Sequence, residues 1–160
     1  MNTLELTCIL KSDPMMKRFS PRVLAMDEFL AYPLNEKGLI ICNSQSSIKL
    51  GEHWFLIFFR NKRELYFIDS LARTPQHYGV HEKFRDRTVT SLGTALQHKH
   101  STVCGEFTVY FAYNLSRNIP LCRSLELFSH DQGRNALIVR RFLQKVFPGH
   151  ERIYPEDILL

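Results

Sequence analysis

The apolar residues of this chain come in short runs whose spacing changes along the sequence. The first 36 residues are predicted to be mainly helical, and the segment "PRVLAMDEFLAY" (21–32) has a proline near its start followed by apolar residues at helical spacing. The run "GLIICN" (38–43) is short and rich in residues that favour strands. A mainly helical N-terminal part is therefore expected to precede a sheet.

Two aromatic and β-branched runs follow, "HWFLIFFR" (53–60) and "ELYFIDS" (64–70). The polar residues "NKR" between them are typical of a turn, so the two runs are predicted to form a β-hairpin. Further along, residues 103–115 have the length and the apolar spacing of a buried helix, and residues 135–147 form a second helical pattern that ends before "PG". Helices around a small, mainly antiparallel central sheet predict an α+β protein.

Length and composition favour one domain over residues 1–160. The 160 residues are 44% apolar, which suffices for one substantial core and is cramped for two domains. The longest apolar runs are too short to span a bilayer, and the first residues lack the order of a signal peptide. Four cysteines without a CxxC pair suit a reducing compartment. We therefore expect a soluble, intracellular protein.

The formal net charge of +5 makes a polyanion a reasonable partner. Small groups of basic residues could form a nucleic-acid-binding surface, or could equally be an ordinary solvated surface. The candidates are Arg60, Lys62, Arg63, Arg134, Arg141 and Lys145.

The ends of the predicted hairpin carry a histidine and a carboxylate. His53 opens the first strand and Asp69 nearly closes the second. On one face of the sheet, their Cβ atoms would be about 4.5–5.5 Å apart if directly opposite and roughly 7–8 Å apart if diagonal. A shift of one residue would place them on opposite faces, and a surface contact is the simpler alternative. The sequence thus offers a His–Asp pair whose register is open.

Cys104 stands at the predicted start of the long buried helix, with Ser101 or Thr102 as the expected N-cap. The positive end of the helix dipole favours a thiolate there, and Gly105 leaves the backbone unobstructed. Cys104 is therefore a candidate nucleophile, with a small buried core residue as the alternative. The other three cysteines lack such a setting.

Two histidine pairs, His77 with His81 and His98 with His100, have spacings that metal sites can use. No carboxylate or cysteine nearby completes a tetrahedral set. Neither a metal nor a prosthetic group is predicted.

Several motifs occur together in a specific order: "GEHWFLIFF", then "FIDS", then a glutamine at 97 seven residues before "CG". In this order the sequence resembles the adenovirus protease (adenain) family of cysteine endopeptidases, which is related more distantly to the SUMO-protein peptidases. "KRF" at 17–19 with a valine shortly after it, and Asn43 ten residues before "HW", add to the resemblance. The resemblance covers most of residues 15–115. The combination is specific, whereas each motif alone is not.

Carried over position by position, the resemblance implies Cys104 as nucleophile, His53 as general base and Asp69 as the group that orients the imidazole. It also implies Gln97 as an oxyanion-hole donor beside the backbone N–H of Cys104. Acyl transfer needs these residue types: a thiolate, a base that later protonates the leaving amine, and donors for the oxyanion. By itself, Gln97 would also fit a surface amide. The active-site wall would include Trp54, Gly105 and Asn43.

Two features depart from the family. The adenovirus enzymes commonly have glutamate as the third member, whereas this chain has Asp69, as in the SUMO peptidases. They also carry a cysteine upstream of the glutamine that forms a disulfide with an activating viral peptide, and residues 80–96 contain no cysteine. A disulfide-linked activating peptide is therefore not expected. DNA, which adenovirus-like proteases use as a cofactor, stays a candidate.

The resemblance implies a monomeric cysteine endopeptidase from a double-stranded DNA virus or a virus-derived element, present in the host nucleus and the virion. It would cleave virion precursor proteins after small residues such as glycine. Two alternatives stay open: a ubiquitin-like-protein peptidase with the same triad, and a non-catalytic nucleic-acid-binding protein.

Overall fold

The computed structural model describes residues 1–150, so the last ten residues of the predicted domain, 151–160, lie outside the described part. Helices and strands alternate irregularly along the chain, which confirms the α+β prediction. In order they are α1 (Thr3–Ser12), α2 (Pro14–Lys17), β1 (Arg22–Leu24), α3 (Met26–Ala31), β2 (Gly38–Asn43), β3 (Trp54–Phe59), β4 (Glu64–Ile68), a 3₁₀ helix (His81–Phe84), β5 (Thr88–Ser91), α4 (Cys104–Ser116), α5 (Leu121–Leu125) and α6 (Gln132–Val146).

The strands form one sheet in the order β1-β2-β3-β4-β5. The central strands β2, β3 and β4 are antiparallel, as the sequence predicts. At the two edges β1 runs parallel to β2, and β5 runs parallel to β4. Parallel neighbours need a crossover connection, and such a path leaves no local pattern in the sequence.

The predicted hairpin is confirmed, and its register is the one that the site requires. Leu56 lies opposite Ile68 in the antiparallel pair. Continuing this register places Asp69 opposite Phe55. His53 lies two residues before Phe55 and therefore on the same face, diagonal to Asp69.

Both faces of the central sheet are covered. All residues of β2 and β3 are buried. One face of the sheet belongs to the core cluster that includes α1 and α4, with α6 packed on α4, while the other face packs against the region of α3 and the 3₁₀ helix. This explains why the two runs are apolar throughout instead of alternating. Helix α4 is itself buried on nearly all sides and runs along β3. No helix within residues 1–150 is long and apolar enough to cross a membrane.

The helix predicted over residues 21–32 is wrong in its first part. Residues Arg22–Leu24 form strand β1, paired in parallel with Ile40–Cys42, and α3 begins only at Met26. Pairing with β2 therefore overrides the local helical spacing of these residues.

The predicted cap of α4 is also wrong. Val103 occupies the N-cap position and no side chain caps the helix, so neither Ser101 nor Thr102 has the expected role. Cys104 nevertheless lies in the first turn of the helix, as the sequence predicts, and is its first residue. The helix predicted over 135–147 is observed as α6, which begins three residues earlier because Asp131 accepts a hydrogen bond from a backbone N–H of its first turn.

Candidate active site

His53 and Asp69 meet where β3 begins and β4 ends. The imidazole Nε2 lies 2.7 Å from Asp69 Oδ1, and both side chains are buried. Oδ1 also accepts a hydrogen bond from the backbone N–H of Leu71 at 2.8 Å, and Oδ2 accepts one from the hydroxyl of Tyr78 at 2.5 Å. Three groups therefore hold the carboxylate with one oxygen against the histidine.

Cys104 adds a third group to this pair. It is the first residue of α4, and its thiol is within hydrogen-bonding reach of His53. Because Nε2 of the ring is bonded to Asp69, Nδ1 is the nitrogen left for the thiol. The structure thus brings together three residues that lie far apart in the sequence.

The charge state of His53 follows from these contacts. Burial alone would lower its pKa, but hydrogen bonds and charge interactions with Asp69 and Cys104 outweigh burial and raise the pKa to about 9. The imidazole is therefore favoured as imidazolium at neutral pH, which is the partner that a thiolate needs.

The other cysteines have different surroundings. Cys8 and Cys122 are exposed, while Cys42 is buried within β2, in the core cluster that also contains Phe29 of α3. Burial, together with the nearby carboxylates of Glu28 and Asp27, raises the pKa of Cys42 and keeps it a thiol. None of the three lies at the His–Asp pair.

Gln97 is tied to the same loop that carries Asp69. The hydroxyl of Ser70 donates to Gln97 Oε1 at 2.6 Å, and the backbone carbonyl of Ser70 accepts from the backbone N–H of Gln97 at 3.1 Å. Gln97 Nε2 donates one of its hydrogens to the carbonyl of Ser101 at 2.8 Å. An amide nitrogen has two hydrogens, so one stays available to an oxyanion. Its role as an oxyanion donor stays a prediction.

Sequence reasoning missed Asn135, which anchors the loop before Gln97. Its side chain is fully buried (0% exposed). Nδ2 donates to the carbonyls of Leu96 at 3.1 Å and Ser129 at 2.8 Å, and Oδ1 accepts from the backbone N–H of Ser129 at 3.0 Å. Leu96 lies 39 positions earlier in the chain, so no local pattern could indicate this contact.

Trp54 lies next to His53 and contacts the first residue of the chain. Its indole Nε1 donates to the carbonyl of Met1 at 3.0 Å. The side chain of Met1 in turn packs on Gly105, where an added Cβ would come within 3.0 Å of Met1 Cβ. Trp54, Met1 and Gly105 therefore form one wall beside the thiol.

Asn43 lies opposite Trp54 in the pairing of β2 with β3. Its amide packs so closely on Gly51 that any side chain at Gly51 would collide with it. A cavity of about 380 Å³ borders these residues and Met1. Neither Cys104 nor His53 is among the residues that line this cavity.

The basic residues considered for nucleic-acid binding lie in two places. Arg134, Arg141 and Lys145 are exposed on α6, at spacings that put them on one side of the helix. Lys62 and Arg63 are exposed in the turn between β3 and β4.

Arg60 is already engaged within the fold. Its guanidinium donates to the carbonyl of Leu115 and lies 5.1 Å from the ring centre of Phe19. Lys62 forms an exposed ion pair with Glu36 at 3.4 Å. Arg60 and Lys62 are therefore already engaged in contacts within the fold.

Among residues 1–150, no group of three or more histidine, cysteine, aspartate or glutamate side chains could hold a metal ion. The pair His98 and His100 is joined instead by a local hydrogen bond from the backbone N–H of His100 to Nδ1 of His98 at 3.3 Å.

No protein-family model and no curated protein sequence matches the chain. Solved structures with similarity to it include ChlaDub1 from Chlamydia trachomatis, with a TM-score of 0.43 and 16% identity over 63% of this chain and 51% of that one. The ASFV pS273R protease matches with a TM-score of 0.46 and 12% identity over 74% of this chain and 45% of that one. The SUMO protease Ulp1, with its catalytic cysteine oxidised to a sulfinic acid, matches with a TM-score of 0.45 and 15% identity over 87% of this chain and 76% of that one. The chain thus spans about half the length of the first two structures.

Proposed function

We propose that the protein is a cysteine peptidase in which Cys104 is the nucleophile, His53 the general base and Asp69 the orienting carboxylate. The observation that carries the proposal is the convergence of three side chains from the start of α4 and the two ends of the hairpin. His53 Nε2 lies 2.7 Å from Asp69 Oδ1, and the Cys104 thiol is close enough to raise the pKa of His53. Burying a charged pair costs solvation free energy, so such an arrangement is a poor device for stability alone.

The proposed chemistry begins with the Cys104 thiolate attacking the carbonyl carbon of the scissile peptide bond. A carbon–sulfur bond forms, and the negative charge moves to the carbonyl oxygen, which the backbone N–H of Cys104 and Nε2 of Gln97 would stabilise. The imidazolium of His53 then gives its proton to the departing nitrogen as the carbon–nitrogen bond breaks. The product of this half-reaction is a thioester and a free amine.

Water completes the cycle. His53, now neutral, takes a proton from a water molecule as its oxygen attacks the thioester carbon. The carbon–sulfur bond breaks, the carboxylic acid product leaves, and Cys104 returns to the thiolate beside a protonated His53. Asp69 keeps the ring aligned in both half-reactions and need not change its own protonation state.

Within this class, we propose an endopeptidase that acts on viral precursor proteins after small residues such as glycine. The wall of Trp54, Met1 and Gly105 beside the thiol supports a narrow approach for the residue before the scissile bond. The viral origin and the precursor substrates rest on the order of the motifs. A ubiquitin-like-protein peptidase is the alternative with the same site.

We also propose DNA as a cofactor, bound through the side of α6 that carries Arg134, Arg141 and Lys145. The supporting observation is that these three side chains are exposed and share one side of the helix.

The test of the peptidase proposal is hydrolysis of a fluorogenic peptide with glycine before the scissile bond. Cys104→Ala should abolish turnover and keep the fold, because the change removes one sulfur at a helix end. The matched control is Cys122→Ala, at an exposed cysteine of α5, which should keep wild-type rates. Turnover that survives in pure Cys104→Ala protein would refute the assignment.

A comparison of two substrates distinguishes an endopeptidase from a ubiquitin-like-protein peptidase. Extended peptides and a folded ubiquitin-like modifier with a diglycine terminus are offered at equal concentration. An endopeptidase should prefer the extended peptides. Efficient processing of the folded modifier alone would favour the alternative.

A further inference from the structure

Beside His53 and the backbone N–H of Leu71, Asp69 has a third partner that the proposed reaction does not use. Its Oδ1 faces His53, while its Oδ2 accepts the hydroxyl of Tyr78 at 2.5 Å. Within residues 1–150, no other donor is hydrogen-bonded to Oδ2. Since the carboxylate is buried at 1% exposure, this one hydroxyl satisfies the oxygen that points away from the histidine.

The fold presents Tyr78 at this place through a short turn. The backbone N–H groups of Tyr78 and Val80 both donate to the carbonyl of Pro75, at 3.2 and 3.0 Å. Gly79 follows Tyr78 with φ of +68°, a conformation that L side chains rarely adopt, which makes the turn possible. The ring of Tyr78 stacks on Phe55 with centroids 4.7 Å apart, so its direction is fixed by packing.

Arg73 extends the series by one more group. Its guanidinium is close enough to interact with the hydroxyl of Tyr78, and this interaction raises the pKa of Arg73. Burial and the charge of Asp69 raise the pKa of Tyr78, so the hydroxyl keeps its proton. A hydroxyl has one hydrogen, and since a guanidinium accepts no hydrogen bond, that hydrogen is left for Asp69.

We propose that Tyr78, oriented by Arg73, is a positioning residue that holds the carboxylate of Asp69 in the rotation that points Oδ1 at His53. This inference rests on the proposed peptidase function. It makes the site a series of five groups: Arg73, Tyr78, Asp69, His53 and Cys104. Tyr78 acts through Asp69 and does not touch the substrate.

The test is Tyr78→Phe, which removes the hydroxyl and keeps the ring against Phe55. With its far oxygen released, the carboxylate spends part of its time turned away from His53. We expect kcat to fall about tenfold, with KM little changed, since a hydrogen bond to a charged group is lost without altering the substrate contacts. Tyr110→Phe is the matched control, because the hydroxyl of Tyr110 bonds to the carbonyl of Ser124 at 2.7 Å and lies outside the site. It should lower stability and leave kcat unchanged.

A double-mutant cycle shows whether Tyr78 acts through the carboxylate. In the Asp69→Asn background, Tyr78→Phe should add no further loss of kcat, because its target is already gone. Losses that multiply in the double variant, or an unchanged kcat in Tyr78→Phe alone, would overturn the proposal.

NMR titration of the His53 imidazole tests the same idea without turnover. A carboxylate that turns away supports the imidazolium less, so the pKa of His53 should be lower in Tyr78→Phe than in the wild type. An unchanged pKa would overturn the positioning role. A raised pKa would also overturn it, because Tyr78 would then only disperse the charge of Asp69. Since this readout does not depend on peptide hydrolysis, failure of the peptidase proposal and failure of this inference can be told apart.

Discussion

At the scale of single residues, Asp69 and Cys104 keep the buried His53 protonated up to pH about 9. The folded-state pKa lies above the ordinary value of 6.5, so protonation of His53 stabilises the fold. That contribution is complete below about pH 6.5 and disappears as the pH rises through about 9. The shift of the His53 pKa from 6.5 to about 9 limits this contribution to about 3 kcal/mol of unfolding free energy.

We therefore expect the free energy of unfolding to fall between pH 6.5 and pH 9, measured by urea denaturation across that range. His53→Gln is the reference, because it removes the titrating group and keeps a polar side chain. The difference between wild type and His53→Gln should shrink as the pH rises. A difference that stays constant would show that His53 is not stabilised as imidazolium.

Gln97 carries the next prediction at this scale. Gln97→Ala should lower kcat by about 10²–10³-fold, as expected for the loss of one oxyanion donor, with little change in KM. Steady-state kinetics on the glycine-containing peptide measures both values. Ser70→Ala should give a smaller loss, because it frees the Gln97 amide without removing it. Unchanged kinetics for Gln97→Ala would show that Gln97 has no catalytic role and that its position seven residues before Cys104 is a coincidence.

Cys104, His53 and Asp69 could be proposed as site residues from the sequence. The residues that surround these three could not. His53 and Asp69 stand at the two ends of a hairpin that the apolar pattern predicts, and the pattern left only the register open. Tyr78 and Asn135 reach the site from a turn and from α6, through contacts that depend on the final packing. A tyrosine in a turn and an asparagine in a helix have no local feature that distinguishes them.

At the scale of elements, α6 supports the loop before Gln97 through two side chains: Gln132 donates to the carbonyl of Ala95 at 3.4 Å, and the fully buried Asn135 donates to the carbonyl of Leu96 at 3.1 Å. Asn135→Ala would leave the carbonyl of Leu96 and the backbone N–H of Ser129 without their partner. The expected cost is about 1–3 kcal/mol of unfolding free energy. Because Leu96 precedes Gln97, kcat should fall as well.

Chemical denaturation and kinetics on the same preparation test this prediction. Ser124→Ala, which removes another buried polar group but one remote from Gln97, is the control and should affect stability alone. If Asn135→Ala lost as much stability as Ser124→Ala and kept an unchanged kcat, the anchoring role would be contradicted.

The elements that the sequence predicts are those with strong local patterns. β2, the hairpin, α4 and α6 all have long apolar runs or clear helical spacing. β1 and β5 are three and four residues long and are held by pairing with a neighbour, so their sequences carry little strand signal. In α4 the helix position was predictable from its length, but its cap was not, because Val103 begins the helix without a side-chain acceptor.

At the scale of the whole molecule, the net charge of +5 and the basic side of α6 lead to a prediction about DNA. Binding to duplex DNA should be independent of sequence and should weaken steeply with salt, because each neutralised phosphate releases counterions and contributes roughly −0.9 to the log–log slope. If both residues contact phosphate, Arg141→Ala with Lys145→Ala should flatten the slope by about two.

Fluorescence anisotropy over a salt series measures this slope. Lys62→Ala with Arg63→Ala provides a charge-matched comparison in the turn between β3 and β4. An equal effect of the two pairs would place both surfaces on the same duplex. No binding at roughly 50 mM salt would remove the DNA role altogether.

The most direct test of the central claim is the position at which a glycine-ended peptide electrophile attaches, mapped by mass spectrometry of the intact protein and its fragments. Exposure alone would favour Cys8 and Cys122, since Cys104 is only 6% exposed. Activation by His53 and the start of α4 predicts the opposite: modification at Cys104, lost in His53→Ala. Labelling of the exposed cysteines with Cys104 unmodified would contradict the account.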